Sequence, residues 1–179
     1  DKNTSYTFKN NSITLKNCNY KKSDFVYKIE PDATAASYFL TLPLVVGGEC
    51  TVTGITNNMI QGDVGYCNVL KQLGVDIRFG LDAVTSSFNK SLSGGSFNFN
   101  DISDTFLSLA AISPLFGTSL EIYGIEHTRK QETDRISAMA SELRKLGQEV
   151  VEKNDRLIIY PDLNKLKTSA DNCVHIATY

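Results

Sequence analysis

Leu120-Glu121-Ile122-Tyr123-Gly124-Ile125, then His127-Thr128-Arg129-Lys130-Gln131-Glu132-Thr133-Asp134-Arg135, then Ile136 to Gly147 is the stretch on which the fold turns. It reads as an apolar strand, a charged loop and an amphipathic helix. Ile136, Met139, Ala140, Leu143 and Leu146 recur at helical spacing, and Gly147 suits the left-handed position just past a helix end. The loop falls at the helix N-terminus, where unpaired N–H groups and the helix dipole already favour anions. Arg129, Lys130 and Arg135 make that end cationic, and Glu132 among them is a proton-transfer group. The combination suits a small, multiply anionic substrate.

Working outward, the same arrangement occurs earlier. Thr51-Val52-Thr53-Gly54-Ile55 matches the strand, and Val69-Leu70-Lys71-Gln72-Leu73-Gly74 matches Glu142-Leu143-Arg144-Lys145-Leu146-Gly147. Gly54 and Gly124 are 70 apart and Gly74 and Gly147 are 73 apart, so the chain holds two copies of one unit with a short loop insertion. Each copy begins with a helix: Asp32, or Asp101 and Asp104, stand at its start, and Pro43 or Pro114 near its end. Asp63, after Gln61-Gly62, is expected to cap the second helix of copy one. Copy two closes on Glu149-Val150-Val151, a Lys153-Asn154-Asp155 turn and Arg156 to Tyr160, a hairpin pattern. Copy one ends similarly, with Val75 to Phe79 and Ala83-Val84-Thr85, and Ser91 to Gly95 reads as a flexible join. His175 to Tyr179 reads as a further strand. The unit is approximately βαβαββ, with sheets outside and helices within, or the reverse; periodicity fits both.

Composition excludes several functions. At 179 residues the chain can form one domain with a real core or two small lobes, and 41% apolar with 21% charged residues is ordinary for a globular protein. A net charge of -2 leaves no broad surface for nucleic acid or an anionic membrane. Cys18, Cys50, Cys67 and Cys173 are scattered without metal-ligand spacing, which suggests unpaired thiols in a reducing, cytoplasmic setting. No run is long enough for a membrane span.

The ordered motifs Glu30-Pro31-Asp32-Ala33-Thr34, Ile60-Gln61-Gly62-Asp63, Asp101-Ile102-Ser103-Asp104 and Glu132-Thr133-Asp134-Arg135 resemble those of the enolpyruvyl transferase family, in its shikimate-pathway branch. The similarity runs from about Tyr27 onward. It implies an α/β fold of the inside-out barrel type, with helices inward and sheets outward and each lobe built from three βαβαββ units. Residues 1–90 are then the last strands of a preceding region plus one unit. Residues 91–179 are a second unit, ending at the start of a third, and the other lobe is missing from this piece.

The resemblance further implies transfer of the enolpyruvyl group of phosphoenolpyruvate to the 5-hydroxyl of shikimate 3-phosphate, without metal or organic cofactor. The sibling reaction on UDP-N-acetylglucosamine, or a non-catalytic remnant of the fold, are the alternatives. By motif position Asp104 is the expected base toward the hydroxyl and Glu132 the acid toward the methylene carbon, while Arg135 is the clamp on the donor carboxylate. His127, Arg129 and Gln131 are further expected substrate contacts, although the family motif commonly has Lys where this chain has Gln131. On spacing alone Glu132 and Arg135 also suit an ion pair at a helix start, Asp104 a cap and Asp134 a structural cap or pair.

Overall fold

The computed structural model describes residues 6–15, 24 and 26–178. Cys18 and Tyr179, both named above, lie outside them. Two hairpin strands, β1 (Tyr6–Lys9) and β2 (Ser12–Leu15), come first and are exposed along their length. The helix α1 (Ala33–Val46) follows. Asp32 caps it, its carboxylate accepting the N–H of Ala35, and Gly47 ends it at φ +74°. Pro43 sits in the last turn of α1, where its missing N–H costs one bond near an end that stops anyway.

Next come β3 (Gly48–Thr53), α2 (Tyr66–Gln72), β4 (Asp76–Phe79) and β5 (Ala83–Phe88). These strands form a three-stranded antiparallel sheet in the order β3-β5-β4. The second copy runs β6 (Gly95–Asn98), α3 (Phe106–Ile112), β7 (Leu120–Tyr123), α4 (Arg135–Lys145), β8 (Glu149–Glu152) and β9 (Arg156–Tyr160). Its sheet has the order β6-β7-β9-β8, with β6 parallel to β7 and the other pairs antiparallel. The repeat is therefore real in space, since β7-β9-β8 reproduces β3-β5-β4 and the second copy is a full βαβαββ. Among the described residues the first copy shows no strand equivalent to β6, and Val26 to Glu30 carry no regular structure.

Strand alternation decides which layer lies inside. Val84, Ser86 and Phe88 on β5, and Leu157 and Ile159 on β9, point inward while their neighbours are partly or fully exposed. Helix α1 packs on β3 and β5, α4 packs on β8 and β9, and α3 lies between α1 and α4. The core joins both copies through fully buried Leu70, Phe99, Phe106, Leu109, Ile136 and Leu143. Helices are inside and sheets outside, the inside-out barrel arrangement. At the centre the Ser37 and Ser108 hydroxyls, at matching places on α1 and α3, hydrogen bond at 2.7 Å.

Helix α1 carries no charged side chain, and its hydroxyls at Thr34, Ser37, Tyr38 and Thr41 lie on one stripe. Ala36, Leu40 and Leu44 are buried, yet Tyr38, Phe39, Leu42 and Val45 are exposed. A helix whose other sides are apolar throughout is ordinarily covered on those sides.

Three expectations need correction. The join is not loose: Gly94 packs so tightly on the Ser119 backbone that a Cβ would overlap it, and its N–H donates to Thr118 Oγ1. Residues 174–178 form no strand. They follow a helix, α5 (Leu163–Asp171), and the Ala177 N–H donates to a Glu142 carboxylate rather than to a neighbouring strand. Asp63 does not cap α2; it lies in a 3-10 turn, Gly62–Gly65, and its carboxylate accepts the Thr34 hydroxyl at the start of α1. The three described cysteines, Cys50, Cys67 and Cys173, are free, and none of the described helices is long and apolar enough to cross a membrane.

Candidate functional site

Arg135 is the first residue of α4, held there because Asp134 caps the helix and accepts the Ser137 N–H at 3.0 Å. Its guanidinium reaches sideways to two carboxylates. Nη1 donates to Asp104 Oδ1 at 2.6 Å and Nη2 donates to Glu132 Oε2 at 2.8 Å. Asp104 arrives on the 3-10 turn Ser103–Thr105 that leads into α3, and Glu132 on the bend before α4. Residues 31 positions apart thus meet because α3 and α4 pack side by side with their N-termini together.

The three side chains open onto a cavity of about 630 Å³. Leu107, Met139 and Leu143 form its apolar floor, Thr34 and Tyr38 of α1 one wall, and Ile176 and Ala177 another. Arg135 is tucked in, with its side chain 20% exposed, while Asp104 at 46% and Glu132 at 79% face the open side. Burial works against the Arg135 charge, but the Glu132 and Asp104 hydrogen bonds outweigh it and raise its pKa. Its own backbone N–H, and then the Arg135 guanidinium, hold the Glu132 carboxyl below the usual range. So Glu132 is ionised at neutral pH in this arrangement. One cation between two carboxylates over an apolar floor can grip a ligand carboxylate, and both acids can exchange protons with it.

The other expected contacts lie elsewhere. Arg129 donates to Asn154 O, Lys153 O, Asp134 and Glu152, and it lines none of this cavity. Those four partners take up its donors and make it a clamp between the loop and the β8–β9 turn. His127 sits in the 3-10 turn Glu126–Lys130 and lines a separate polar hollow with Asn100, Lys130 and Asp155. Gln131 ends that turn, exposed, outside the cavity lining. Neighbouring side chains on a tight turn diverge, which is why one charged loop serves two faces. Among the described residues no cluster of three His, Cys, Asp or Glu side chains could hold a metal ion.

Two lining residues escaped the sequence reading. Thr34 and Tyr38 sit one turn apart on α1, the first held by Asp63. Their signal was present as hydroxyl-bearing side chains at i and i+4 on an otherwise apolar helix.

A family model for EPSP synthase (3-phosphoshikimate 1-carboxyvinyltransferase) matches residues 7–175. The 3-phosphoshikimate 1-carboxyvinyltransferase of Buchnera aphidicola is 44% identical over 138 residues, covering 77% of this chain and 32% of its own length. That of Opitutus terrae is 46% identical over 140 residues, covering 75% and 29%. The structure of EPSP synthase from Acinetobacter baumannii superimposes with a TM-score of 0.68 at 18% identity, over 89% of this chain and 38% of that one, which is a likeness of fold. The chain spans about a third of the length of the curated relatives it matches. By the family model, the relatives and the shared architecture, the chain belongs to the EPSP synthase family.

Proposed function

We propose that this chain supplies one face of an enolpyruvyl transfer site. The donor is phosphoenolpyruvate, the acceptor is the 5-hydroxyl of shikimate 3-phosphate, and inorganic phosphate is released. What carries the reading is the meeting of Asp104, Glu132 and Arg135 at one cavity. In the addition step Asp104 takes the hydroxyl proton as the oxygen bonds to C2 of the donor. Glu132 gives a proton to the methylene carbon, and in the elimination step takes one back as the C2–O bond to phosphate breaks. Arg135 holds the donor carboxylate. Glu132 at 79% and Asp104 at 46% exposure can each reach a ligand from the open side.

The cation supply on this face is thin for two phosphorylated substrates. The rest of the polypeptide, in a family whose members are about two and a half times as long, closes over the site and over the exposed flank of Tyr38, Leu42 and Val45. Alone the chain binds but does not turn over. The test is to assemble it with the remaining two thirds of a relative's polypeptide and follow phosphate release. Glu132→Gln and Asp104→Asn should each slow release by about 10²- to 10⁴-fold. Unchanged release in both variants would leave the site reading without support, and no release from the assembled parent would favour an inert remnant of the fold. Faster release with UDP-N-acetylglucosamine than with shikimate 3-phosphate would move the acceptor to the sibling reaction.

A further inference from the structure

Arg135 is the only basic side chain among the described residues that line the cavity, and both carboxylates beside it already draw on its fork. Among the described residues the other ionisable groups lining the cavity add no positive charge. Glu142, across the floor on α4, is paired with Lys145 at 2.7 Å and also accepts the Ala177 N–H. From α1 come only the Tyr38 phenol and the Thr34 hydroxyl, with the Asp63 carboxylate behind the latter. Ile176 and Ala177, on the remaining wall, are themselves not titratable. A ligand carboxylate seated on Nη1 and Nη2 therefore puts three carboxylates around one guanidinium. Such a cluster cannot keep all its negative charge at ordinary cost.

We propose that Arg135 is an exchange point: an anionic ligand displaces Glu132 from the guanidinium, and the freed carboxylate takes up one proton from solvent. Binding the donor is then the event that loads the acid. The inference rests on the reading of Arg135 as the donor-carboxylate clamp. Glu132 is the member that yields because it lies on an exposed bend and can swing, whereas Asp104 is fixed in the turn entering α3. A glutamate also binds a proton somewhat more readily than an aspartate. The same contact that keeps Glu132 ionised beforehand releases it afterward, so proton donation waits for the substrate.

The test uses this chain and pyruvate, whose carboxylate stays ionised above pH 4. Carbon-detected titration of the Glu132 carboxyl, with and without saturating pyruvate, should show its midpoint moving to higher pH when pyruvate is present. Calorimetry in two buffers of different ionisation heat should register net proton uptake, approaching one per pyruvate bound as the pH is set between the free and bound Glu132 midpoints. Glu132→Gln, a change at an exposed site, should abolish the uptake while pyruvate still perturbs the Arg135 guanidinium signals. Pyruvate that perturbs Arg135 but leaves the Glu132 midpoint and the proton count unmoved overturns the exchange and spares the clamp. Pyruvate that leaves Arg135 unperturbed overturns both, whereas the phosphate-release assay reports on Asp104 and Glu132 independently.

Discussion

Replacing Arg129 with Gln separates a structural clamp from a ligand contact, and the structure gives the size of the effect. The guanidinium donates to Asn154 O at 2.8 Å and Lys153 O at 2.6 Å, two bonds that hold the β8–β9 turn against the loop before α4. Both bonds are exposed to solvent, which brings each down to about 1 kcal/mol net. It also pairs with Asp134 at 2.8 Å and Glu152 at 3.0 Å, whose side chains are 40% and 23% exposed. Solvent screening at that exposure limits each of these to about 0.5 kcal/mol. The sum is about 3 kcal/mol. For a chain of this size that lowers the melting temperature by about 6–12 °C. Thermal and urea denaturation measure it, and pyruvate affinity, read from the Arg135 signals, should change by less than about twofold. A variant that melts within about 2 °C of the parent yet no longer binds pyruvate would return Arg129 to the site and refute the clamp.

Gly124 sits at φ +79° with Asn98 and Asn100 packed where a Cβ would go, so Gly124→Ala should cost about 1–3 kcal/mol in a urea melt. Ser37→Ala leaves the buried Ser108 hydroxyl without its partner and should cost about 1–2 kcal/mol, whereas adding Ser108→Ala should cost less than the sum, as a double-mutant cycle reads out. Burial alone would raise the Asp134 carboxyl pKa, but the Ser137 N–H and Arg129 outweigh it and lower it. Its folded pKa therefore lies below its unfolded one. The stability it contributes is present above about pH 4, the unfolded value, and is lost as pH falls through the lower folded value. Denaturation at pH 7 and pH 3 should show a smaller loss in Asp134→Asn than in the parent. The Cys67 thiol, pushed up to about 11 by burial, should resist alkylation in the native protein long after exposed Cys173 has reacted, as peptide mass mapping would show.

The two-copy architecture was legible because its punctuation is carried by particular residues. Gly54 and Gly124 both adopt positive φ after a strand, as do Gly74 and Gly147 after a helix, and few residues but glycine do this cheaply. The meeting of Asp104 with Glu132 and Arg135 could be anticipated from ordered motifs, whereas the directions of Arg129 and His127 could not. Along the turn Glu126–Lys130 the side chains fan out, and which one meets the β8–β9 turn depends on tertiary packing. Residues 174–178 misled for a related reason. An apolar, β-branched run becomes a strand only where a partner backbone is available, and here the Glu142 carboxylate takes the Ala177 N–H. Tyr38 and Thr34 were hidden within a helix whose continuous apolar character drew attention to packing rather than to the hydroxyls it presents.

The two sheets differ in one respect. β7 has a strand on each side, whereas among the described residues β3 is bonded through β5 alone, which leaves the other margin of Gly48–Thr53 without a described strand. Glu49 is the only charge on that margin. An unblocked margin of this kind recruits whatever extended peptide comes near, and in a concentrated solution the most abundant candidate is the same margin of another molecule. Preparations of this chain should thus thicken into ribbon-like assemblies as concentration rises, and a lysine at Thr51 or Thr53 should keep them dispersed.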